Sequence, residues 1–208
     1  MDKKMLFIGI GGLGAMSINN MPLHIKNRLL TVFFKKVDKS IKNINADEII
    51  IFKYDKYGNV CRDFFERLFE IQNKLKNKDI FIVLNLGGII STNCAKDVIQ
   101  FLKQLGKRLF LHVSMPFEFE CSNSHQRALE AIFFLRPLVY KIFIGDNADI
   151  LKRFDKKMKF LNFLQYRSNI IYREIQKCLD AQNRHNNIYS NKYIKNIITF
   201  FIKLCAKK

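Results

Sequence analysis

Cysteine is sparse and unpaired in this chain. Five cysteines (Cys61, Cys94, Cys121, Cys178 and Cys205) are scattered over 208 residues with no CxxC pair. A disulfide framework and a cysteine zinc site are both excluded as readings, and a reducing, cytoplasmic compartment is expected. The four histidines, His24, His112, His125 and His185, form no HxxxH pair or His/Cys cluster that would hold a metal. His112 and the cysteines read as core residues. No apolar run reaches about 18 residues, so no transmembrane helix is expected. The charged start and short apolar run at 1–15 resemble a secretory signal, but the glycines that cut the run have another explanation. Internal repeats and low-complexity tracts are absent beyond an Asn/Lys bias. Acids are also few, 18 against 36 Lys and Arg, which gives a net charge of +18.

What is present is apolar: 49% of residues are hydrophobic and 20 are Phe. That is material for a folded core and excludes disorder as the main description. Buried strands are expected at 5–10, 79–85, 108–113 and 139–144, with further strands at 30–37 and 49–53. Helical spacing marks 62–76, 92–105 and 125–135. A helix is also expected over 15–21, stopped by Pro22, and a long one over 158–179. A polar loop at 182–187 and an amphipathic helix at 193–204 complete the chain. Short apolar strands alternating with helices give an α/β class with a doubly wound, mostly parallel sheet flanked by helices.

The first strand runs into Gly11, Gly12, Leu13, Gly14, Ala15 and Met16 and then a helix. Such a turn lets backbone approach phosphates at a helix N-terminus. It equally serves as a tight strand-to-helix connection. Taken alone, the loop fits a dinucleotide oxidoreductase, with Asp38 as the ribose acid, an adenylating enzyme, or a third family.

Motifs downstream separate the three. Residues 9–21 (GIGGLGAMSINNM), 79–96 (DIFIVLNLGGIISTNCAK), 105–120 (LGKRLFLHVSMPFEFE) and 128–151 follow in order the nucleotide-binding domain of the FtsZ/tubulin family, which the chain resembles over residues 4 to 180. The resemblance implies an FtsZ-like domain over 1–180, a basic loop and amphipathic helix over 181–208, and no second domain. It implies a GTP or GDP site built from Gly11, Gly12, Leu13, Gly14, Ala15, Met16, Gly87, Gly88, Ser91, Thr92, Asn93, Glu120, Asn147 and Asn169. In that comparison Glu120 is the ribose acid, and Asn169 stands near the base-reading acid. The stacking Phe falls near Leu164, with Phe163 adjacent.

Departures from the pattern are as informative. The family's GGGTGTG loop reads Gly87-Gly88-Ile89-Ile90-Ser91-Thr92-Asn93 here. β-branched bulk at Ile89 and Ile90 opposes a phosphate nest. Ser91, Thr92 and Asn93 serve either a weaker anion site or a plain N-cap. Arg127 is a stand-in for an arginine that Ser124 replaces. The catalytic acids of the family's loop after the long helix are missing, because 181–208 holds no Asp or Glu.

Residues 151–208 carry 14 Lys and Arg against 3 Asp and Glu, so most of the net charge lies there. A solvated face, docking on a partner, or binding of 193–204 to an anionic membrane surface would each use it. Nucleic acid is the weakest reading, since no binding motif accompanies the charge. The expectation is an FtsZ-like protein of cell division or a bacterial filament. It would bind GTP or GDP weakly or not at all, hydrolyse none, and associate with itself or with an FtsZ-like filament protein. An active polymerising GTPase and a Rossmann-type enzyme are the alternatives.

Overall fold

The structure, a computed structural model, describes residues 5–21, 66, 69, 70, 75, 79–152 and 159–190, without the side chains of 90, 160, 161, 179 and 181–190. The strands expected at 30–37 and 49–53, and the helix at 193–204, lie outside the described residues.

Four short strands form one parallel sheet. They are β1 (Leu6–Ile10), β2 (Ile80–Asn85), β3 (Leu109–Ser114) and β4 (Lys141–Gly145), in the spatial order β1-β2-β3-β4. The register pairs Leu6 with Ile80, Ile80 with Leu109, and Phe110 with Lys141. The first three strands are buried on both faces, as expected of a parallel sheet covered on each side by helices. On one face, Ile8, Ile82 and Leu111 share a core with Val98 and Leu102 of α2 (Ile89–Gln104) and Ala128 and Ala131 of α3 (Ser122–Leu135). The opposite face carries the ring series Phe7, Phe81 and Phe143, with centroids 6.2 and 6.1 Å apart.

Helix α1 (Gly11–Asn19) lies against this second face, and glycine permits the approach. A Cβ on Gly9 would stand 2.7 Å from Cα of Ala15, and one on Gly14 would stand 2.4 Å from the Val83 carbonyl oxygen. A short helix α4 (Asn147–Lys152) follows β4. Helix α5 (Phe160–Ser190) is 31 residues long, and the Ser168 hydroxyl donates to the Ser17 carbonyl at 2.9 Å, fastening it to α1. At the N-terminal ends of the strands, Asp79 is ion-paired to Arg108. None of the described helices is long and apolar enough to cross a membrane.

The parallel sheet and its flanking helices match the expected class. Several boundaries differ. Helix α1 begins at Gly11 rather than Ala15, and ends at Asn19, ahead of Pro22. Helix α2 begins at Ile89, three residues early, so Ser91 and Thr92 fall inside its first turn and Asn93 just beyond it. The N-cap is Gly88 and has no side-chain cap bond, which corrects the reading of those three residues as a cap. The polar loop expected at 182–187 is helical, because α5 continues to Ser190. Cys94 and Cys178 are buried as expected, but Cys121 is exposed at the N-cap of α3.

The chain divides into two compact units, Met1–Ile171 and Tyr172–Lys208. The described part of the first holds the sheet and its helices. That of the second is the helical run 172–190.

Candidate functional site

In a parallel α/β sheet the ligand end is the one where the strands finish at their carboxyl ends, because helix N-termini and connecting loops gather there. Here that end collects the starts of α1 and α2, the segment after β3, the start of α4 and the first part of α5.

Gly11 has φ +75°, a conformation glycine adopts without strain. A Cβ on it would lie 3.5 Å from that of Ser91, so the first and second loops are neighbours. A Cβ on Gly12 would meet no atom within 4 Å, so the backbone there is open to a ligand. Gly14 and Ala15 are buried and face the sheet. Gly11 is buried as well, so of the three loop glycines only Gly12 is exposed. Met16 is exposed. Leu13 packs into a small apolar cluster with Ile150, Phe163, Leu164 and Phe117.

The second loop is folded in on itself. Gly87 has φ +102°, and a Cβ there would strike Cγ of Pro116 at 2.6 Å. Its N–H donates to Thr92 Oγ1 at 3.1 Å, and its carbonyl accepts from Arg127 Nε at 2.8 Å. Thr92 is buried, and Ser91 donates weakly to the Gly88 carbonyl at 3.3 Å. A nest needs backbone N–H groups aimed at the anion, and one of them is here committed to a side chain. Ile89 does not fill the cradle. It is 61% exposed. Asn93 is exposed as well.

Arg127 does more than the sequence indicated. Besides Gly87 it reaches the Ser124 hydroxyl at 3.1 Å, and that hydroxyl lies 3.2 Å from Cys121 Sγ. Hydrogen bonds from the Ser124 side chain and backbone, with the Arg127 charge behind them, hold the Cys121 thiol below its ordinary pKa.

Glu120 closes its own turn, accepting from the Phe117 N–H at 2.9 Å. Phe119 stacks on Phe117 at 5.0 Å and is 79% exposed. Phe117 in turn meets Phe163 at 5.6 Å. Asn147 is fully buried and donates through Nδ2 to the Met115 carbonyl at 2.7 Å, while its Oδ1 has no partner.

Helix α5 turns a different residue toward the strand ends than the sequence indicated. Asn169 lies on the exposed side of the helix. The buried stripe runs through Phe163, Leu164, Arg167, Ser168 and Ile171. Arg167 is only 1% exposed, and its Nη2 donates to Asn85 Oδ1 and Ser114 Oγ, at the last residues of β2 and β3. Nε and Nη1 have no partner. Burial lowers its pKa from the ordinary guanidinium value to about 10. The signal for Arg167 was its spacing, four residues from Phe163 and four from Ile171 on one helical stripe.

No protein-family model matches the sequence. The cell division protein FtsZ of Mycoplasmopsis pulmonis is 32% identical over 96 residues, which is 45% of this chain and 25% of that protein. The FtsZ structure from M. jannaschii superposes with a TM-score of 0.67 at 19% identity, covering 86% of this chain and 55% of that one. CetZ2 from Haloferax volcanii gives 0.66 at 16% identity, covering 86% and 58%. The chain thus spans little more than half of these solved relatives. Sheet order, glycine loops and the sequence match to FtsZ together identify an FtsZ/tubulin-like domain.

Proposed function

We propose that this chain is an FtsZ-like protein of cell division or of a bacterial filament, that it binds GTP or GDP weakly and hydrolyses neither, and that it acts through protein association. The observation that carries this reading is the Gly87–Thr92 hydrogen bond, which closes the second loop on itself. Gly14 and Gly87, both loop glycines, are occupied by packing against Val83 and Pro116. Open backbone at Gly12 and the outward Ile89 favour weak retention of a nucleotide over complete loss. Gly11, Gly12, Gly88, Glu120 and Asn147 are the residues assigned to it, with the phosphates at the starts of α1 and α2.

Absence of hydrolysis rests on the sequence. Polarising an attacking water is electrostatic work that needs positioned acids, and 181–208 supplies none. Association rests on the relatives. The CetZ2 structure is a GTPγS-bound protofilament, and the M. jannaschii FtsZ structure is a dimer. The partner proposed here is a second copy or an FtsZ-like filament.

Pelleting of the protein alone and with purified FtsZ, with and without GTP, tests the association. Co-sedimentation or altered FtsZ assembly is expected, and no effect on either would refute it. The open Gly12 also favours a second reading, an active polymerising GTPase. Phosphate release separates the two.

A further inference from the structure

Two of the buried residues carry a charged side chain among the described ones, Asp79 and Arg167. Asp79 has its counter-ion in Arg108. Arg167 has none. Its two protein acceptors, Asn85 Oδ1 and Ser114 Oγ, are neutral and both serve Nη2, so the N–H groups of Nε and Nη1 are unmet. Burial lowers its pKa, and no carboxylate of the described residues acts on it. A buried charge is ordinarily paired, because removing it from water costs several kcal/mol that only a partner offsets. Packing gains nothing from an arginine here that an apolar side chain would not supply better. The uncompensated cation lies at the carboxyl ends of β2 and β3, the same end of the sheet as Gly11 and Gly88. One residue beyond Ser114, at the Met115 carbonyl, Asn147 holds a buried Oδ1 that also lacks a partner.

We propose that Arg167 is an oxyanion receptor, and that its unmet N–H groups take a phosphoryl oxygen of the bound ligand while Asn147 Oδ1 accepts an N–H or O–H of the same molecule. This deepens the proposed function and rests on reading the strand ends as the ligand site. It names a nucleoside phosphate, since that class carries both the anion and the donor. A charge-assisted bond to a desolvated guanidinium is strong and offsets what the closed second loop has lost. The guanidinium has almost no surface in the unliganded chain, so the side chains over it must part before the ligand reaches it. Association is therefore slower than a rigid encounter.

Calorimetry with pyrophosphate, GDP and guanosine on the wild type, Arg167→Gln and Arg167→Lys tests this. Arg167→Gln should bind pyrophosphate and GDP about tenfold or more weakly and guanosine as the wild type does, and Arg167→Lys should recover most of the loss. Pyrophosphate bound as tightly as GDP would mean that Arg167 reads phosphate alone, and would overturn the part given to Asn147. Equal GDP affinity in the wild type and Arg167→Gln overturns the inference and leaves the proposed function standing. No binding of GDP by the wild type overturns both. Arg167→Met is the folding control. It should melt at or above the wild type and show the same loss, and wild-type GDP affinity in a folded Arg167→Met would contradict the inference.

Discussion

The loop glycines divide by what surrounds them. A methyl on Gly14 would meet the Val83 carbonyl at 2.4 Å, whereas one on Gly12 would meet open space. Gly14→Ala should therefore destabilise the protein by about 1–3 kcal/mol through overpacking. Gly12→Ala should raise stability by about 0.5–1 kcal/mol through helix propensity. Urea denaturation of the two variants checks the pair, and equal effects would contradict the division. Cys121 is the second residue-scale case. It is exposed, and Ser124 stabilises its thiolate, whereas Cys94 and Cys178 are buried. Alkylation followed by mass spectrometry should label Cys121 ahead of Cys94 and Cys178 at neutral pH, and Ser124→Ala should slow it.

At the scale of elements, α2 carries a pH-sensitive contribution. Asp97 is half-buried, and desolvation raises its carboxyl pKa more than the Lys96 charge lowers it. Its folded pKa lies above its unfolded one, so its contribution to stability is complete below the unfolded pKa and lost as pH rises through the folded one. Asp97→Asn should melt above the wild type at pH 7, and the difference should vanish below about pH 4. A difference independent of pH would mean that the side chain acts through something other than ionisation.

Elements were legible where apolar periodicity was strong. β1 and β2 are near-continuous apolar runs, and a run such as IFIVL at 80–84 has few folded alternatives. α5 was legible only in part. Residues 182–187 (QNRHNN) carry no apolar stripe, yet Asn costs a helix only a few tenths of a kcal/mol, and nothing there breaks it. The absence of a buried face was mistaken for the absence of a helix. The opposite error hid Arg167. A charge in sequence is taken as solvated, but this one sits on the stripe of Phe163 and Ile171 and is buried with them. Asn169 was favoured because alignment to a motif does not fix helical register. Two residues of slip turn a side chain by about 200° around a helix.

Across the whole molecule, charge and length matter most. Residues 151–208 hold 14 Lys and Arg against 3 acids. If association runs through that quarter, co-sedimentation should fall sharply between about 0.05 and 0.5 M salt as screening shortens the Debye length. Salt-independent pelleting would place the contact on an apolar surface instead. The parallel order of the sheet, its glycine loops and its likeness to FtsZ place the fold in the tubulin-like group, and the chain spans 55% of the M. jannaschii protein.

The central claim is that this FtsZ/tubulin-like domain keeps a reduced nucleotide site and has lost hydrolysis. Steady-state phosphate release from GTP by the assembled protein, with calorimetry on the same sample, tests it most directly. The account predicts a dissociation constant weaker than about 1 μM and no phosphate above the rate of buffer alone. Tight binding with turnover that rises with protein concentration would contradict it.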